Sequence, residues 1–151
     1  MRRLFATLIG GLLVLSMTSA LPAQSGCPPT RPDAEGPFYK PNAPRRATIG
    51  SGFVVEGVVR STKGCAVIAG ARIEWWQANP RGEYDDQHRA TMESRDGGAY
   101  RFQTSFPPPY AGRPPHIHVK VSAPGHRQLT TQLYPKPGQS EIKADFVIVP
   151  E

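Results

Sequence analysis

Short runs of alternating apolar and polar residues dominate this chain of 151 residues, and segments rich in Gly, Pro, Asn and Asp separate them. A period of two places successive side chains on opposite faces of a β-strand. The runs are FVVEGVVR (53–60), ARIEWWQA (71–78), AYRFQT (99–104), HIHVKVS (116–122), QLTTQL (128–133) and ADFVIV (144–149). No stretch has a convincing helical period. The sequence therefore predicts an all-β fold, an antiparallel β-sandwich of short strands.

Residues 24–49 precede the first of these runs and show no alternation. They are rich in Pro, Gly and Arg, a composition typical of irregular, extended chain. We therefore expect an extended N-terminal arm that wraps around the sandwich. Most of the 17 prolines lie between the predicted strands, which favours loops with a fixed conformation.

The first 23 residues have the composition of a cleaved signal peptide. An Arg-Arg pair supplies positive charge, an apolar run extends from Leu4 to Met17, and small residues suited to cleavage stand near positions 20 and 23. A membrane anchor is the alternative, but a spanning helix needs roughly 20 apolar residues, more than this run provides. We expect export to the periplasm or the extracellular space by the Sec or the twin-arginine route, without stable membrane insertion after cleavage. One domain would then occupy residues 24–151.

Charge and cysteine content narrow the function classes. The formal net charge is +6, and removal of the two signal-peptide arginines lowers it to +4. This excess is scattered, with no basic run interleaved with aromatic residues, so we expect no nucleic-acid binding. Cys27 and Cys65 would meet an oxidising environment after export, which favours a disulfide between the arm and the loop after the first strand. Two unpaired buried thiols are the alternative.

The segment PYAGRPPHIHVKV (109–121) carries the first candidate site. The apolar residues of its predicted strand share one face, so His116, His118 and Lys120 point to the other. Residues two apart on a strand have Cα atoms about 6 to 7 Å apart, a span that one metal ion can bridge. Two solvated histidines on an edge strand are the alternative reading. Pro114 and Pro115 stiffen the approach to this strand.

A metal ion at these histidines would need further ligands, and no carboxylate or cysteine stands near them in the sequence. Tyrosines are available, namely Tyr110 in the same segment and Tyr84 in NPRGEYDD (79–86). Phenolate is a hard anionic donor suited to ferric iron, and two phenolates with two neutral imidazoles would largely neutralise a trivalent ion. Each tyrosine could instead be a half-buried packing residue at the end of a strand.

Four stretches together resemble the intradiol ring-cleavage dioxygenases, the family that includes catechol and protocatechuate dioxygenases. The stretches are EGPFYKPNAPRR (35–46), GARIEWWQANPRGEYD (70–85), GGAYRFQTSFPPPYAGRPPHIHVKV (97–121) and LTTQLY (129–134). The resemblance implies an enzyme with a non-haem iron(III) cofactor, whose ligands would be Tyr84, Tyr110, His116 and His118. It also implies a small catecholic substrate and O2, with ring cleavage between the two hydroxyl-bearing carbons to give a muconate-type diacid.

The same resemblance assigns different roles to the two tyrosines. Tyr110 would be the axial ligand that leaves the iron when substrate arrives and takes one of the substrate's protons. Tyr84 would stay bound. This division is chemically reasonable, because a catechol must lose two protons to chelate iron as a dianion and a displaced phenolate is a base already in place.

Further residues match the family pattern around the ligands. Arg113 would stabilise negative charge on the activated ring. Gln132 and Tyr134 would orient Arg113. Phe38 and Tyr39 would border the substrate pocket.

Two departures bear on specificity and assembly. We expect no counterpart of the N-terminal helical dimerisation region of the cytoplasmic catechol dioxygenases. Only five residues separate Tyr110 from His116, where well-known members have a longer insertion. The short loop resembles that of a small exported branch of the family and predicts a more open pocket. The identity of the catechol and the oligomeric state, with a homodimer as one option, stay open.

The alternative function is a non-catalytic, transthyretin-like β-sandwich binding module, because sandwiches host many functions. Such a module would have no reason to hold both tyrosines, both histidines and Arg113 together, so we favour the enzyme. Zinc or copper bound through His116 and His118 is disfavoured by the two hard phenolates.

Overall fold

The structure is a computed structural model that describes residues 26–151. The predicted signal peptide, residues 1–23, lies outside the described residues. Within residues 26–151, no helix has the length and apolar character needed to cross a membrane.

Two four-stranded β-sheets pack together around one apolar core, which confirms the predicted β-sandwich. The strands are β1 (Phe53–Ser61), β2 (Arg72–Trp76), β3 (Arg89–Glu93), β4 (Ala99–Thr104), β5 (Ile117–Ser122), β6 (Leu129–Leu133), β7 (Glu141–Lys143) and β8 (Phe146–Ile148). Alternation does not predict β3 or β7. The first of these buries Arg and Thr as well as Ala, and the second is three residues long.

The two sheets differ in their strand directions. The first sheet has the order β3-β2-β5-β6 and is antiparallel throughout. In the second sheet β4 pairs antiparallel with β1, whereas β7 and β8 both run parallel to β1. The sandwich is thus antiparallel apart from this edge. The chain bends between β7 and β8, so the two short strands share the length of β1.

The central strand β5 buries one face between the sheets. Ile117, Val119 and Val121 are completely buried, as the alternation predicts. Beside them Trp75 stacks on Phe102 of the opposite sheet, with ring centroids 4.4 Å apart. Burial of each of the three aliphatic side chains of β5 stabilises the fold by about 1.5–3 kcal/mol. A one-residue slip of β5 would turn all three away from the core between the sheets, so its register and its outward face are fixed.

The N-terminal segment 26–49, called the arm below, wraps around the sandwich as expected. Its ends bond to the second sheet, and its residues 33–46 lie across the outer face of the β3-β2-β5-β6 sheet. At one edge of this sheet the Asp33 N–H donates to the Thr130 carbonyl of β6 over 2.9 Å. At the other edge the Arg46 N–H donates to the Thr91 carbonyl of β3 over 3.0 Å. The arm therefore crosses the sheet from edge to edge and covers the side chains beneath it.

A disulfide anchors the start of the arm. Cys27 and Cys65 are bonded, which joins the arm to the loop after β1. The residues are 38 apart in sequence, and a cross-link closing a loop of this size stabilises by about 4 kcal/mol in the chain-entropy description.

Gly57 should be indispensable because the bend between β7 and β8 crosses β1 at this residue. A β-carbon on Gly57 would collide with the carbonyl group of Ala144. We expect Gly57→Ala to lower the free energy of unfolding by about 3 kcal/mol, since the backbone cannot give way as a side chain can. Gly26→Ala is the control, because its β-carbon would make only an ordinary 3.4 Å contact with the Thr62 carbonyl. Urea denaturation curves that coincide for the two variants would contradict this account.

Candidate metal centre

His116 and His118 lie on the outer face of the first sheet, beneath the arm. The register places His118 directly between Trp76 of β2 and Gln132 of β6. The two histidines are only 3% and 2% exposed. The reading of two solvated histidines on an edge strand is therefore wrong, because the strand is central and both imidazoles are buried.

Tyr84 brings a phenol oxygen to both imidazoles. Its Oη lies 3.1 Å from Nε2 of His116 and 3.1 Å from Nε2 of His118. The Nδ1–H of His116 donates to the Pro114 carbonyl over 2.8 Å, which leaves a lone pair on the Nε2 of His116. The single phenol proton of Tyr84 can form a hydrogen bond with only one of these two nitrogens at a time. A cation between the three atoms would accept a lone pair from each of them.

A buried amide holds the turn that carries Tyr84. Asn79 is 3% exposed, and its Oδ1 accepts hydrogen bonds from the N–H groups of Arg81 (2.8 Å) and Glu83 (3.1 Å). Its Nδ2 donates to the carboxylates of Asp85 (2.8 Å) and Glu83 (3.3 Å). Asn79 thus fixes the residues on both sides of Tyr84, and so fixes where the phenol can reach.

Tyr110 and Arg113 face each other across a two-residue turn. The Tyr110 N–H donates to the Arg113 carbonyl over 3.2 Å, and the Arg113 N–H donates back over 2.9 Å. The central residues Ala111 (φ 47°) and Gly112 (φ 76°) both adopt positive φ, as a type I′ turn requires. The turn brings the Tyr110 ring edge-on to the Tyr84 ring, with centroids 5.1 Å apart.

Burial sets the protonation states of the metal-free site. Burial is the main cause that raises the pKa of Tyr84 to about 12, and the neighbouring Tyr110 adds to it. Burial likewise lowers the pKa of His118 to about 3, aided by the charge of a protonated His116. At neutral pH the metal-free protein therefore holds a neutral phenol and a neutral imidazole. Binding of a cation would release the phenol proton of Tyr84.

The donor set fits a hard trivalent cation. Among residues 26–151, no group of three or more His, Cys, Asp or Glu side chains is placed to hold a metal ion. The two histidines can therefore complete a site only with donors of another kind. The Tyr84 phenol lies beside them, and the Tyr110 ring lies edge-on to that of Tyr84. Two imidazole nitrogens with two phenolate oxygens suit ferric iron better than the softer divalent metals.

The arm forms one wall of this site. The Phe38 ring stacks on the Tyr84 ring with centroids 4.2 Å apart and planes 10° apart, and meets the Tyr110 ring edge-on at 5.5 Å. Gly36 has φ +71°, and a β-carbon there would lie 3.3 Å from Cε1 of His118. The backbone of the arm thus passes directly over the imidazole, which glycine allows.

Tyr39 lies next to the site but makes different contacts from those expected of a pocket residue. Its hydroxyl donates to the Glu74 carboxylate over 3.2 Å, and its ring lies 3.3 Å from Nζ of Lys120. The ring also packs against Trp76, with centroids 5.2 Å apart. These contacts place Tyr39 over a buried charged cluster of the sheet. The contacts of Phe38, in contrast, are with the two tyrosine donors.

Arg113 is oriented by two acceptors on and after β6. Its guanidinium donates to Oε1 of Gln132 over 2.7 Å and to Oη of Tyr134 over 2.9 Å. The Tyr134 hydroxyl in turn donates to the Asp33 carboxylate of the arm over 2.7 Å. Gln132 and Tyr134 also line a cleft of about 360 Å³. Arg113 is therefore held beside an accessible cleft at the rim of the donor cluster.

Several residues that contact the site were not selected from the sequence. They are Asp33, Gly36, Trp76, Asn79 and Arg89. The sequence does point to Trp76, because alternation places it with Glu74 on the outer face of β2. In the structure its ring stacks on that of His118 with centroids 4.9 Å apart. Asn79 acts within its own turn, where all its bonds reach residues 81–85. Asp33, Gly36 and Arg89 act through hydrogen bonds or close approaches between distant segments, which a local pattern does not encode.

Comparison with known proteins places this geometry in a family. The family model Dioxygenase_C, described as dioxygenase, matches residues 34–149. A catechol 1,2-dioxygenase of Candida albicans is 35% identical over 136 residues, which cover 66% of this chain and 45% of the relative. A chlorocatechol 1,2-dioxygenase of Cupriavidus pinatubonensis is 29% identical over 137 residues, which cover 68% and 53%. The chain spans about half the length of these curated relatives.

A solved structure agrees with these matches. The dioxygenase domain of a dioxygenase carbohydrate-binding protein fusion from Streptomyces sp. SirexAA-E has a TM-score of 0.74 and 31% identity, covering 82% of this chain and 100% of that one. The family match includes the arm from residue 34, both tyrosines, both histidines and Arg113. With that match and a shared fold, this chain belongs to the intradiol ring-cleavage dioxygenase family.

Loss of the Asn79 amide should weaken metal binding at Tyr84. We expect Asn79→Ala to lower the affinity for ferric iron about 10- to 100-fold, the usual effect of losing a group that orients a metal ligand. Arg81→Ala is the matched control in the same turn, because the Arg81 side chain is 80% exposed in its pair with Glu83 and such pairs contribute little. Competition with a chelator measures both variants. Equal affinities would show that Asn79 does not set the position of Tyr84.

Proposed function

We propose that this chain is a non-haem iron(III) intradiol dioxygenase that cleaves catecholic aromatics with O2. The observation that carries the proposal is the convergence of the Tyr84 phenol with the Nε2 atoms of His116 and His118, with Tyr110 at its edge. The names of the relatives, catechol and chlorocatechol dioxygenases, support the substrate class. The reaction breaks the bond between the two hydroxyl-bearing carbons, and both atoms of O2 enter the muconate-type diacid.

The donors divide into fixed and displaceable groups. Tyr84, Tyr110, His116 and His118 would hold the ferric ion, which when bound supplies chelation of the catechol and the redox chemistry with O2. Tyr84 is fixed by the Asn79 turn and by the stacked ring of Phe38. We therefore assign Tyr84 as the ligand that stays bound.

Tyr110 is the group best placed to move a proton. A catechol must lose two protons to bind as a dianion, and a phenolate leaving the metal can accept one of them at its oxygen. Tyr110 stands at the end of a short turn whose central residues, Ala111 and Gly112, are exposed. Displacement of this side chain therefore requires no rearrangement of a buried segment.

Arg113 supplies positive charge where negative charge develops on the ring. Gln132 and Tyr134 hold its guanidinium before substrate arrives, so little reorganisation is needed during the reaction. Phe38, whose ring contacts both tyrosines, would border the substrate pocket on the side of the arm. Tyr39 would support this wall by packing on Trp76.

Colour and metal content test the proposal directly. We expect the protein to be red after loading with iron, with about one iron per chain, because tyrosinate bound to ferric iron gives charge-transfer absorption in the visible range. Addition of catechol should shift this band. A protein that stays colourless and inactive after reconstitution with iron would rule out the iron site and favour the transthyretin-like binding module.

Two variants separate binding from chemistry in the same experiment. Tyr110→Phe should retain iron but lower kcat about 100-fold or more, the usual effect of losing a catalytic base. His118→Ala should lose iron. His126→Ala is the control, since His126 bonds to Ser61 and Pro124 away from the site. Full activity in Tyr110→Phe or His118→Ala would reject the assignment.

We also propose that the protein is exported, as its first 23 residues predict. The Cys27–Cys65 disulfide supports this proposal, because disulfides persist in oxidising compartments. We expect a mature chain that begins near residue 21 or 24 in the periplasmic or extracellular fraction. Mass spectrometry of the purified protein, with and without reduction, measures both the N-terminus and the disulfide. An intact N-terminus in the cytoplasmic fraction would contradict export.

A further inference from the structure

We infer that Arg89, which is not one of the metal donors, positions the metal ligand Tyr84 by fixing the main chain of Phe38. This inference rests on the proposed function of the site, and it assigns a task to a buried cation that the proposed chemistry does not use. The Arg89 guanidinium bonds to the Phe38 carbonyl, and the Phe38 ring stacks on the Tyr84 ring. The Tyr84 phenol in turn contacts the two histidines.

Arg89 lies in the same transverse row of the sheet as the metal donors. It pairs with Trp76 of β2, and Trp76 pairs in turn with His118 of β5. Its side chain is only 4% exposed, and its Nη1 donates a hydrogen bond to the Phe38 carbonyl. The sheet therefore projects a buried cation towards the underside of the arm.

The Phe38 carbonyl is the main hydrogen-bond acceptor of the Arg89 guanidinium. Nε of Arg89 lies 3.4 Å from the Asp86 carboxylate but forms no hydrogen bond within the described chain. The Asp86 side chain is 76% exposed, so water competes for it. A buried guanidinium without a good acceptor is costly. The fold therefore holds the Phe38 carbonyl firmly against Arg89.

Fixing this carbonyl fixes the ring that covers Tyr84. The Phe38 and Tyr84 rings are nearly parallel, 10° apart, with centroids 4.2 Å apart. A shift of the Phe38 main chain would remove the surface against which Tyr84 lies. The Tyr84 phenol, now 3.1 Å from both Nε2 atoms, would then lose one of its two constraints, leaving the turn held by Asn79.

The neighbouring contact of the arm is a weaker anchor. Lys40, two residues after Phe38, pairs with Asp86 over 2.7 Å, but the two side chains are 59% and 76% exposed. Exposed pairs of this kind contribute little. Lys40 therefore offers a matched control, a cation on the same stretch of arm without the buried contact.

The test uses Ga(III), a redox-inert substitute for ferric iron, so that metal binding is measured apart from turnover. Ultraviolet difference absorption reports tyrosinate formation as the metal binds. We expect Arg89→Met to weaken Ga(III) affinity about 10-fold or more, as the loss of a positioning group does, and Lys40→Met to change it less than about 2-fold. The visible tyrosinate-to-iron band of iron-loaded Arg89→Met should also shift, while that of Lys40→Met should not. Unchanged affinity and an unchanged band in Arg89→Met would overturn the inference.

A second variant shows whether Arg89 acts through Phe38. Phe38→Leu keeps the carbonyl acceptor and removes the stacked ring, so it should weaken Ga(III) binding like Arg89→Met. The double variant should bind no more weakly than Phe38→Leu alone. Full additivity of the two losses would overturn the route through Phe38. If circular dichroism shows that Arg89→Met does not fold, Phe38→Leu decides the question, and wild-type affinity in that variant would overturn the inference.

The outcomes also separate this inference from the proposed function. If wild-type protein binds Ga(III) with tyrosinate absorption but cleaves no catechol when loaded with iron, the dioxygenase is rejected, and weakened Ga(III) binding by Arg89→Met still supports the positioning role. If wild-type protein cleaves catechol while Arg89→Met keeps full metal affinity, the dioxygenase is supported and the positioning role is rejected. Wild-type protein that binds no Ga(III) would overturn both.

Discussion

Burial of the apolar face of β5 is the constraint on which the site depends. Ile117, Val119 and Val121 fill the core between the sheets, and the period of two then sends His116 and His118 to the outer face. An outer face of a sandwich normally meets water, where two imidazoles would be solvated. The candidate metal centre therefore needs a second layer above the sheet, and the arm supplies it.

The arm buries polar side chains on the outer face of the sheet. Lys120, the next outward residue of β5, has a side chain only 7% exposed and is paired with Glu35 of the arm and placed against the ring of Tyr39. Burial of such a charge is tolerated only with a partner. The pair thus fastens the arm beside His118, and the same covering keeps the two imidazoles buried. The same contacts therefore hold the arm in place and set the electrostatic environment of the site.

Short, fixed turns deliver the remaining donors. Asn79 organises the turn of Tyr84, and the two positive-φ residues after Tyr110 set the direction of that side chain and of Arg113. Neither turn is long enough to need a hydrophobic core of its own. The sheet provides the nitrogen donors, the turns provide the oxygen donors, and the arm holds them together. Such a division allows a chain of this size to build a site from three separate segments.

Local patterns in the sequence determined the strands with clear alternation, the outward direction of His116 and His118, and the extended character of the arm, because period and turn composition are local properties. The resemblance selected Tyr84, Tyr110 and Arg113. Only the tertiary structure decided that β7 and β8 run parallel to β1, that Tyr39 contacts the charged cluster, and that Arg89 supports Tyr84 through Phe38. Those features depend on which distant segments come into contact, and contact between distant segments is fixed by the packing of the whole chain.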